Sequence, residues 1–314
     1  MRVQHGLRSR RAGRLLSAWL ALGLSACAAT PGARRDDALA SLIAAERAFA
    51  AAAAERGTTE AFLSHLADNA ILFRPRPVPG KEYLRTHPAS RASLEWDPEY
   101  ADVAASGSLG YTTGPWILRK QAGGEPLAGG RYLTFWRRPA GGAGGAGGAG
   151  GDWKAVIDHG VQGPVDERDV SVSSPVERAV VRGVEAGAAH GGDLTSLLRA
   201  DSALSASLLK PESASYRDHL ASEVRILRDG SKPHRGRDEF ESALGEGGIR
   251  FYPAAAEVAT SGDLGYTYGG YELTSTDGRV GPPRRGTYLR GWRHDPGGRW
   301  LLVVDLMTLL PEKG

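Results

Sequence analysis

The sequence predicts an α+β protein built as two tandem copies of one domain, and three observations carry that expectation. The chain of 314 residues repeats itself at a spacing of about 155, so that SGSLGYTTG at residues 106–114 returns as SGDLGYTYG at 261–269 with seven of nine positions identical. Further blocks return in the same order: SHLADNAIL (64–72) as DHLASEVRIL (218–227), GRYLTFWRR (130–138) as GTYLRGWRH (286–294), and DWKAVID (152–158) as RWLLVVD (299–305). Coincidence does not keep four blocks in register, and a unit of roughly 120 residues is domain-sized rather than solenoid-sized. Within each copy, helical spacing comes first and aromatic, β-branched runs come after, the order expected of helices laid on one face of a bent sheet.

Ahead of the first copy, MRVQHGLRSRRAGR is arginine-rich and acid-free, and the apolar LLSAWLALGLSA follows it. This is the layout of an export signal over residues 1–26. Its apolar run of about a dozen residues is too short to span a bilayer as a helix. Leu24, Ser25, Ala26 and Cys27 resemble a bacterial lipobox, which implies that Cys27 becomes the lipidated first residue of the mature chain and is followed by a tether over 27–37. Ala28 and Ala29 point, by the same resemblance, to sorting to the outer membrane. The expected location is therefore the bacterial periplasm, with a lipid anchor in the membrane; a cytosolic protein with an apolar N-terminal helix is the alternative. Cys27 is the only cysteine, so none remains for disulfides, Cys-ligated zinc or a cysteine nucleophile. Removing residues 1–26, with their five arginines and no acid, takes the formal charge from +3 to −2. A near-neutral chain without a basic, aromatic-interleaved stripe excludes nucleic acid as a partner.

The first domain is expected over 38–163. Leu39, Leu42, Ile43, Phe49 and Ala53 recur at helical spacing, Thr58 or Thr59 caps a second helix through Leu66, and Gly80 opens a third near Lys81 to Thr86. From Ser93 onward LGYTTGPWIL, RYLTFWRR and WKAVID read as antiparallel strands between Gly, Ser, Pro and Asp turns. The glycine run 141–151 lacks the Gly-Lys-Ser/Thr ending of a phosphate loop and reads as a hairpin loop. Gly110 and Gly114, with Gly265 and Gly269, fall four apart on one strand face, where glycine lets a strand bend. Residues 164–192 match neither copy; Pro175, Val176, Ala179, Val180 and Val184 predict one linker helix capped by Ser173 or Ser174. The second domain is expected over 193–314.

The run ERAFAAAAAERGTTEAFLSHLADNAILFRPRPVPGKEYL, followed by GRYLTFWRR, a glycine-rich turn and DWKAVIDHG, resembles SnoaL-like domains of the nuclear transport factor 2-like superfamily, in particular a functionally unassigned branch found in bacterial secreted proteins. The resemblance covers about 40–161 well and about 193–308 more loosely. It implies two cones, each with three helices wrapped by a strongly curved, mainly antiparallel sheet and a pocket at the wide end. Members of the superfamily include ketosteroid isomerases, polyketide cyclases and dehydratases, and also proteins that only bind or assemble, so the fold leaves function open. The second copy puts Leu227, Arg228 and Asp229 where the first has Phe73, Arg74 and Pro75, which points to divergence of one pocket.

Glu46 interrupts the apolar stripe of the first helix, and Asp201 does so in the second copy. An acid there is costly unless it is paired or faces a polar cavity. It is read either as an ion pair with the matched Arg137 or Arg293, or as a pocket acid. Asp158 and Asp305 repeat at the end of the last strand, as turn-bonding acids or as the second carboxylate of each cone; two carboxylates in one apolar pocket would have separated pKa values and one could act as general base or acid. His65 and His219, matched within one residue beside Phe62 and Tyr216 on the second helix, are structural groups or partners of those acids. His159 and His294 lie near turns and match nothing. The rings Trp116, Tyr132 and Trp136 match Tyr271, Tyr288 and Trp292, as core or as the lining of a pocket for an apolar or aromatic small molecule. No metal spacing, nucleophile elbow or P-loop occurs, and no cofactor is expected.

The function expected from these residues is a non-catalytic small-molecule binding or scaffold module, with the two domains packed as an intrachain pseudo-dimer. The alternative is an isomerase, cyclase or dehydratase that uses Glu46 or Asp158 as general base with His65 as partner.

Overall fold

The computed structural model describes residue 1 and residues 31–87, 92–138, 153–170, 175–179, 191–244, 247–274 and 284–311. The signal beyond residue 1, Cys27 and the glycine run 141–151 lie outside the described residues. The first half runs α1 (Pro31–Arg56), α2 (Thr58–His65), β1 (Leu66–Phe73), β2 (Pro77–Pro79), α3 (Gly80–Thr86), β3 (Ser93–Trp96), β4 (Tyr100–Val103), β5 (Leu109–Arg119), β6 (Pro126–Arg137) and β7 (Lys154–Gln162). A single helical turn at Glu167–Val170 and the short strand β8 (Glu177–Arg178) follow. The second half runs α4 (Leu194–Ser207), turns at Pro211–Ser213 and Ser215–His219, β9 (Leu220–Arg228), β10 (His234–Arg235), α5 (Arg237–Ser242), β11 (Gly248–Val258), β12 (Leu264–Thr274), β13 (Arg285–His294) and β14 (Trp300–Leu309). One sheet has the order β2-β1-β7-β6-β5-β4-β8 and the other β10-β9-β14-β13-β12-β11. Only β1 with β7, β9 with β14 and β4 with β8 pair in parallel among the described strands. Each half is thus the expected α+β unit, helices on a curved and mainly antiparallel sheet.

The amphipathic stripe builds the first half as anticipated: Leu39, Leu42, Ile43, Phe49 and Ala53 are buried, and they pack on Trp96, Tyr132, Trp136 and Trp153 of the sheet. In the second half α4 places Leu197 and Leu204 on Phe251, Tyr288, Trp292 and Trp300. At about 25 cal/mol per Å² of apolar surface, burying these rings dominates each interior.

Several local expectations are corrected. Residues 31–37, expected as part of a tether, are already helical in α1. Gly57, not a threonine, occupies the N-cap of α2, with φ of 90°. Strand β1 enters between the second and third helices, because Leu66, Ala70, Leu72 and Phe73 are buried against the last strand. The second copy has no second helix; Pro211 and the left-handed Ala214 (φ 54°) break the segment into two turns. The linker helix is not formed where the segment is described: the Glu177 N–H reaches the Glu99 carbonyl at 2.9 Å and β8 adds to the edge of the first sheet. His159 lies within β7 rather than in a turn, and His294 ends β13.

The glycines of the repeat act through close approach. A Cβ on Gly110 would sit 2.6 Å from Leu42 Cδ2 and 2.8 Å from the Asp102 carbonyl, and one on Gly265 would sit 2.8 Å from Leu197 Cδ2. On Gly114 or Gly269 it would meet the Asp97 or Tyr252 carbonyl at 2.1 or 2.2 Å. These positions let the first helix and the neighbouring strand touch the sheet. Bulges also recur at matched places: the β6–β7 ladder slips at Trp136 and the β13–β14 ladder slips at Trp292.

The two sheets pack through their outer faces. Tyr111, Leu133, Phe135 and Ile157 of the first meet Leu264, Tyr266, Leu289 and Val304 of the second in one buried cluster. Around it the contacts are reciprocal. Arg137 grips Glu257 with two bonds of 2.6 and 2.7 Å, while Arg293 holds Asp102 at 2.5 Å and Asp263 at 2.7 Å. Arg137 and Arg293 are matched residues, as are Asp102 and Glu257. The repeated turns meet on the same axis, Ser106 bonding Ser261 at 3.0 Å, with Gly107 and Gly262 at φ of 67° and 70°. His159 stacks on Phe73 at 3.7 Å and bonds Thr287 Oγ1 at 3.1 Å across the interface, where burial lowers its pKa to about 3.

Arg293→Ala leaves Asp102 and Asp263 buried without this cation, so we expect a loss of roughly 3–5 kcal/mol, read as a lower unfolding midpoint in denaturant. Substituting the exposed Arg168 in the same assay should change it by no more than about 0.5 kcal/mol.

Candidate functional site

The matched acids do face the interior of each half, and the two halves treat them differently. Glu46 on α1 is fully buried. Its Oε1 accepts from Trp96 Nε1 at 2.6 Å, and its Oε2 accepts from Trp136 Nε1 at 3.0 Å and lies 2.5 Å from Thr112 Oγ1. No arginine reaches it among the described residues, and the expected pair with Arg137 is replaced by the interface bond to Glu257. Burial pushes the Glu46 pKa up to about 7; the Thr112, Trp96 and Trp136 bonds restrain the rise and the neighbouring Asp158 charge adds to it.

From Glu46 a row of polar residues crosses the sheet. Thr112 on β5 stands opposite Thr134 on β6, which stands opposite Asp158 on β7. Thr134 Oγ1 donates to Asp158 at 2.6 Å. Asp158 keeps some solvent exposure, and burial still raises its pKa. Tyr132, two residues before Thr134, points to the same interior; its hydroxyl is buried and finds no partner among the described residues.

The corresponding row in the second half is Asp201, Thr267, Arg290 and Asp305. Arg290 is fully buried and bridges both acids, Nη1 to Asp201 at 2.8 Å and Nε to Asp305 at 3.1 Å. Arg228 adds a 2.5 Å bond to Asp305, Thr267 and Tyr288 donate to Asp201 at 3.0 and 3.3 Å, and Trp292 Nε1 reaches Thr267 at 3.0 Å. The expected partner of Asp201, Arg293, sits in the interface instead, and Arg290 does its work. The second interior holds a guanidinium where the first has the Thr134 hydroxyl.

The remaining candidates fall into place by packing. His65 gives its Nδ1 to the Ala61 carbonyl at 2.8 Å and stacks on Phe49 at 4.8 Å, with no bond to Glu46; burial lowers its pKa. His219 ends the turn Ser215–His219, half-buried, and burial lowers its pKa too. Trp116, half-buried, pairs across the ladder with Trp96. Trp136, Trp292 and Tyr288 are fully buried, and Tyr271 packs on Phe251 at 6.0 Å. Sequence reasoning missed Trp96, Thr112, Thr134, Asp97 and Arg290. Two signals were present: the repeated Tyr-Thr of 111–112 and 266–267, and the exchange of Thr134 for Arg290 between the matched Tyr132-Leu133 and Tyr288-Leu289 on one side and the matched Trp136 and Trp292 on the other.

The fold has many solved counterparts. A ketosteroid isomerase-like protein from Erwinia carotovora is similar at 16% identity with a TM-score of 0.33, covering 38% of this chain and 96% of its own. A nuclear transport factor 2-like protein of unknown function from Shewanella oneidensis is similar at 15% identity and a TM-score of 0.30, covering 36% and 97%. A protein of unknown function with a cystatin-like fold from Nostoc punctiforme gives 13% identity and 0.32, covering 39% and 97%. Each of these neighbours covers less than two fifths of this chain and nearly the whole of its own. No family model matches the sequence, and no curated protein matches it.

Two outcomes follow. The raised Glu46 pKa means that the folded state holds a proton the unfolded state has lost between about pH 4.5 and 7. Its contribution is therefore full below that window and disappears as pH rises through it, by on the order of 3 kcal/mol in all. Thermal melts of Glu46→Gln against the parent should show the difference moving in favour of the variant from pH 5 to pH 8; a difference independent of pH would contradict the assignment. Arg290→Met leaves the buried Asp201 without its cation and Asp305 with Arg228 alone, and chemical denaturation should report a loss of roughly 3–5 kcal/mol.

Proposed function

We propose that this chain is an exported, lipid-anchored protein of the bacterial periplasm that binds a small molecule in its first half, with the second half serving as a scaffold. The observation that carries the reading is the contrast at one matched position. Arg290 locks the second interior into an ion network, whereas the first interior has no guanidinium on Asp158 among the described residues, pairs it with the Thr134 hydroxyl, and leaves the Tyr132 hydroxyl without a hydrogen bond beside aromatic walls. Buried polar groups with spare bonding capacity in an apolar, ring-lined interior are the usual makings of a ligand site. Export and anchoring rest on the arginine-rich start, the short apolar run and Cys27.

General acid–base catalysis is the second reading, favoured by one observation: a Glu46 pKa of about 7 beside a second carboxylate. Against it stands the complete burial of Glu46, with both oxygens already bonded to Trp96, Trp136 and Thr112.

The two readings separate in one assay. The purified chain should not isomerise a 5-ene-3-ketosteroid or cyclise a polyketide-like substrate above background, and turnover that Asp158→Asn abolishes would establish the enzyme instead. For the anchor, fractionation of an expressing bacterium should find the chain with membranes and the Cys27→Ser variant in the soluble or unprocessed fraction. Equal partitioning of the two would remove the lipid from the account.

A further inference from the structure

The second half shows what its interior is built to hold. Asp305 receives two guanidinium groups, Arg290 Nε at 3.1 Å and Arg228 Nη2 at 2.5 Å. The Arg290 guanidinium also lies 3.9 Å over the Phe251 ring and 4.7 Å from the Tyr288 ring. It is a desolvated cation between two carboxylates and two aromatic faces, bonded through Nε and Nη1, while its Nη2 has no hydrogen-bond partner among the described residues.

The first half keeps the acids and the rings and lacks the cation. Glu46, Trp96, Tyr132, Thr134 and Asp158 stand where the second half has Asp201, Phe251, Tyr288, Arg290 and Asp305. Glu46 has gained replacements, since the indole N–H groups of Trp96 and Trp136 take the place of a guanidinium. Among the described residues Asp158 accepts a side-chain hydrogen bond from the Thr134 hydroxyl alone. Arg74, the counterpart of Arg228, is exposed and donates to the Phe73 carbonyl at 2.7 Å, acting on Asp158 through charge alone.

Two more groups bring oxygen acceptors to this interior. Asp97, where the second half has Tyr252, accepts from Arg47 Nε at 3.2 Å with one oxygen, while its buried Oδ2 has no partner among the described residues. The Tyr132 hydroxyl, also buried, makes no hydrogen bond of full geometry among the described residues, has Thr112 beside it, and lies within the electrostatic reach of Glu46, Asp97 and Asp158 at once. The matched Tyr288 hydroxyl has its bond to Asp201 at 3.3 Å. Carboxylates drawn from water without a matching cation are costly, and the cost falls when a cation with N–H donors comes in from outside.

We propose that the interior of the first half binds a small organic cation by its guanidinium or primary ammonium head, with Asp158 as counter-ion and the Tyr132 hydroxyl as a neutral partner, as the second half holds its own Arg290. The inference rests on the small-molecule reading above and narrows its ligand from aromatic or apolar to cationic. Asp158, the partly exposed member of the set, is the point at which such a head group enters. A bare metal ion is a poorer fit, because no group of three ligating side chains assembles among the described residues. The head must bring its own donors.

The test uses the purified full chain with methylguanidinium and butylammonium chloride as probes, at constant ionic strength set with sodium chloride, and with 2-naphthol as a neutral aromatic probe. At about ten times its Kd each cation should raise the melting temperature by roughly 3 °C. Asp158→Asn should weaken both cations by about tenfold or more in calorimetry. Thr134→Arg should bind neither, because its own guanidinium takes the seat, and its melting temperature in the absence of probe shows that it folds. Equal response in the parent and in Asp158→Asn would overturn the inference, as would response to the cations in Thr134→Arg. Stabilisation by 2-naphthol without any by the cations would overturn the cationic ligand and leave small-molecule binding standing; no response to any probe would remove both.

Discussion

Two arginines at matched positions, each gripping an acid of the other half, hold this molecule in its arrangement. Arg137 on Glu257 and Arg293 on Asp102 are the same contact made twice about a pseudo-two-fold axis, in the reciprocal manner of an isologous interface. They ring a buried apolar cluster, where partial desolvation makes charge pairs costly to break. With the outer faces of both sheets consumed in this way, each inner face has only its own helices to meet. That is why the repeated acids of α1 and α4 end in two separate interiors and never in a shared cleft.

The interiors solve one problem in two ways. A carboxylate on a core-facing helix stripe must be neutralised or supplied with donors. The second half neutralises: a short aspartate leaves space for Arg290, which bridges to Asp305. The first half supplies donors: a longer glutamate reaches the indoles of Trp96 and Trp136, and the wider Trp96 stands where Phe251 supports the guanidinium. The two exchanges, Arg290 for Thr134 and Phe251 for Trp96, keep the helix acid satisfied while leaving the last-strand acid with a hydroxyl in place of a guanidinium. The polar row across β5, β6 and β7 thus stays uneven, with Glu46 complete and Asp158 incomplete.

The sequence carried the duplication, the α+β order and the helix stripe, because each rests on periodicity that local residues express directly. It also pointed to Glu46 and Asp201 as anomalies on that stripe. Their partners were harder to see. Arg137 and Arg293 sit at matched positions and were read as partners of the matched acids within each half, yet the pairing crosses between halves, which no pattern along one copy reveals. Strand β1 was hidden between helices because its partner, β7, lies about 85 residues downstream. The linker was read as a helix from Val176, Ala179 and Val180, but Glu177 backbone bonding to the β4 edge overrode that weak propensity. Thr112 was in view throughout, inside the most obvious repeat, where its hydroxyl was obscured by the glycines around it.

The meeting of Ser106 with Ser261 at the axis has a consequence for how such a molecule can change. In an assembly of two identical chains every substitution appears at both symmetry-related places, so an arginine that filled one interior would fill the other. Joining the copies in one polypeptide keeps the geometry of the axis while letting each copy mutate alone. Thr134 and Arg290 are that freedom made visible: at one matched place, one copy carries a hydroxyl and the other a guanidinium.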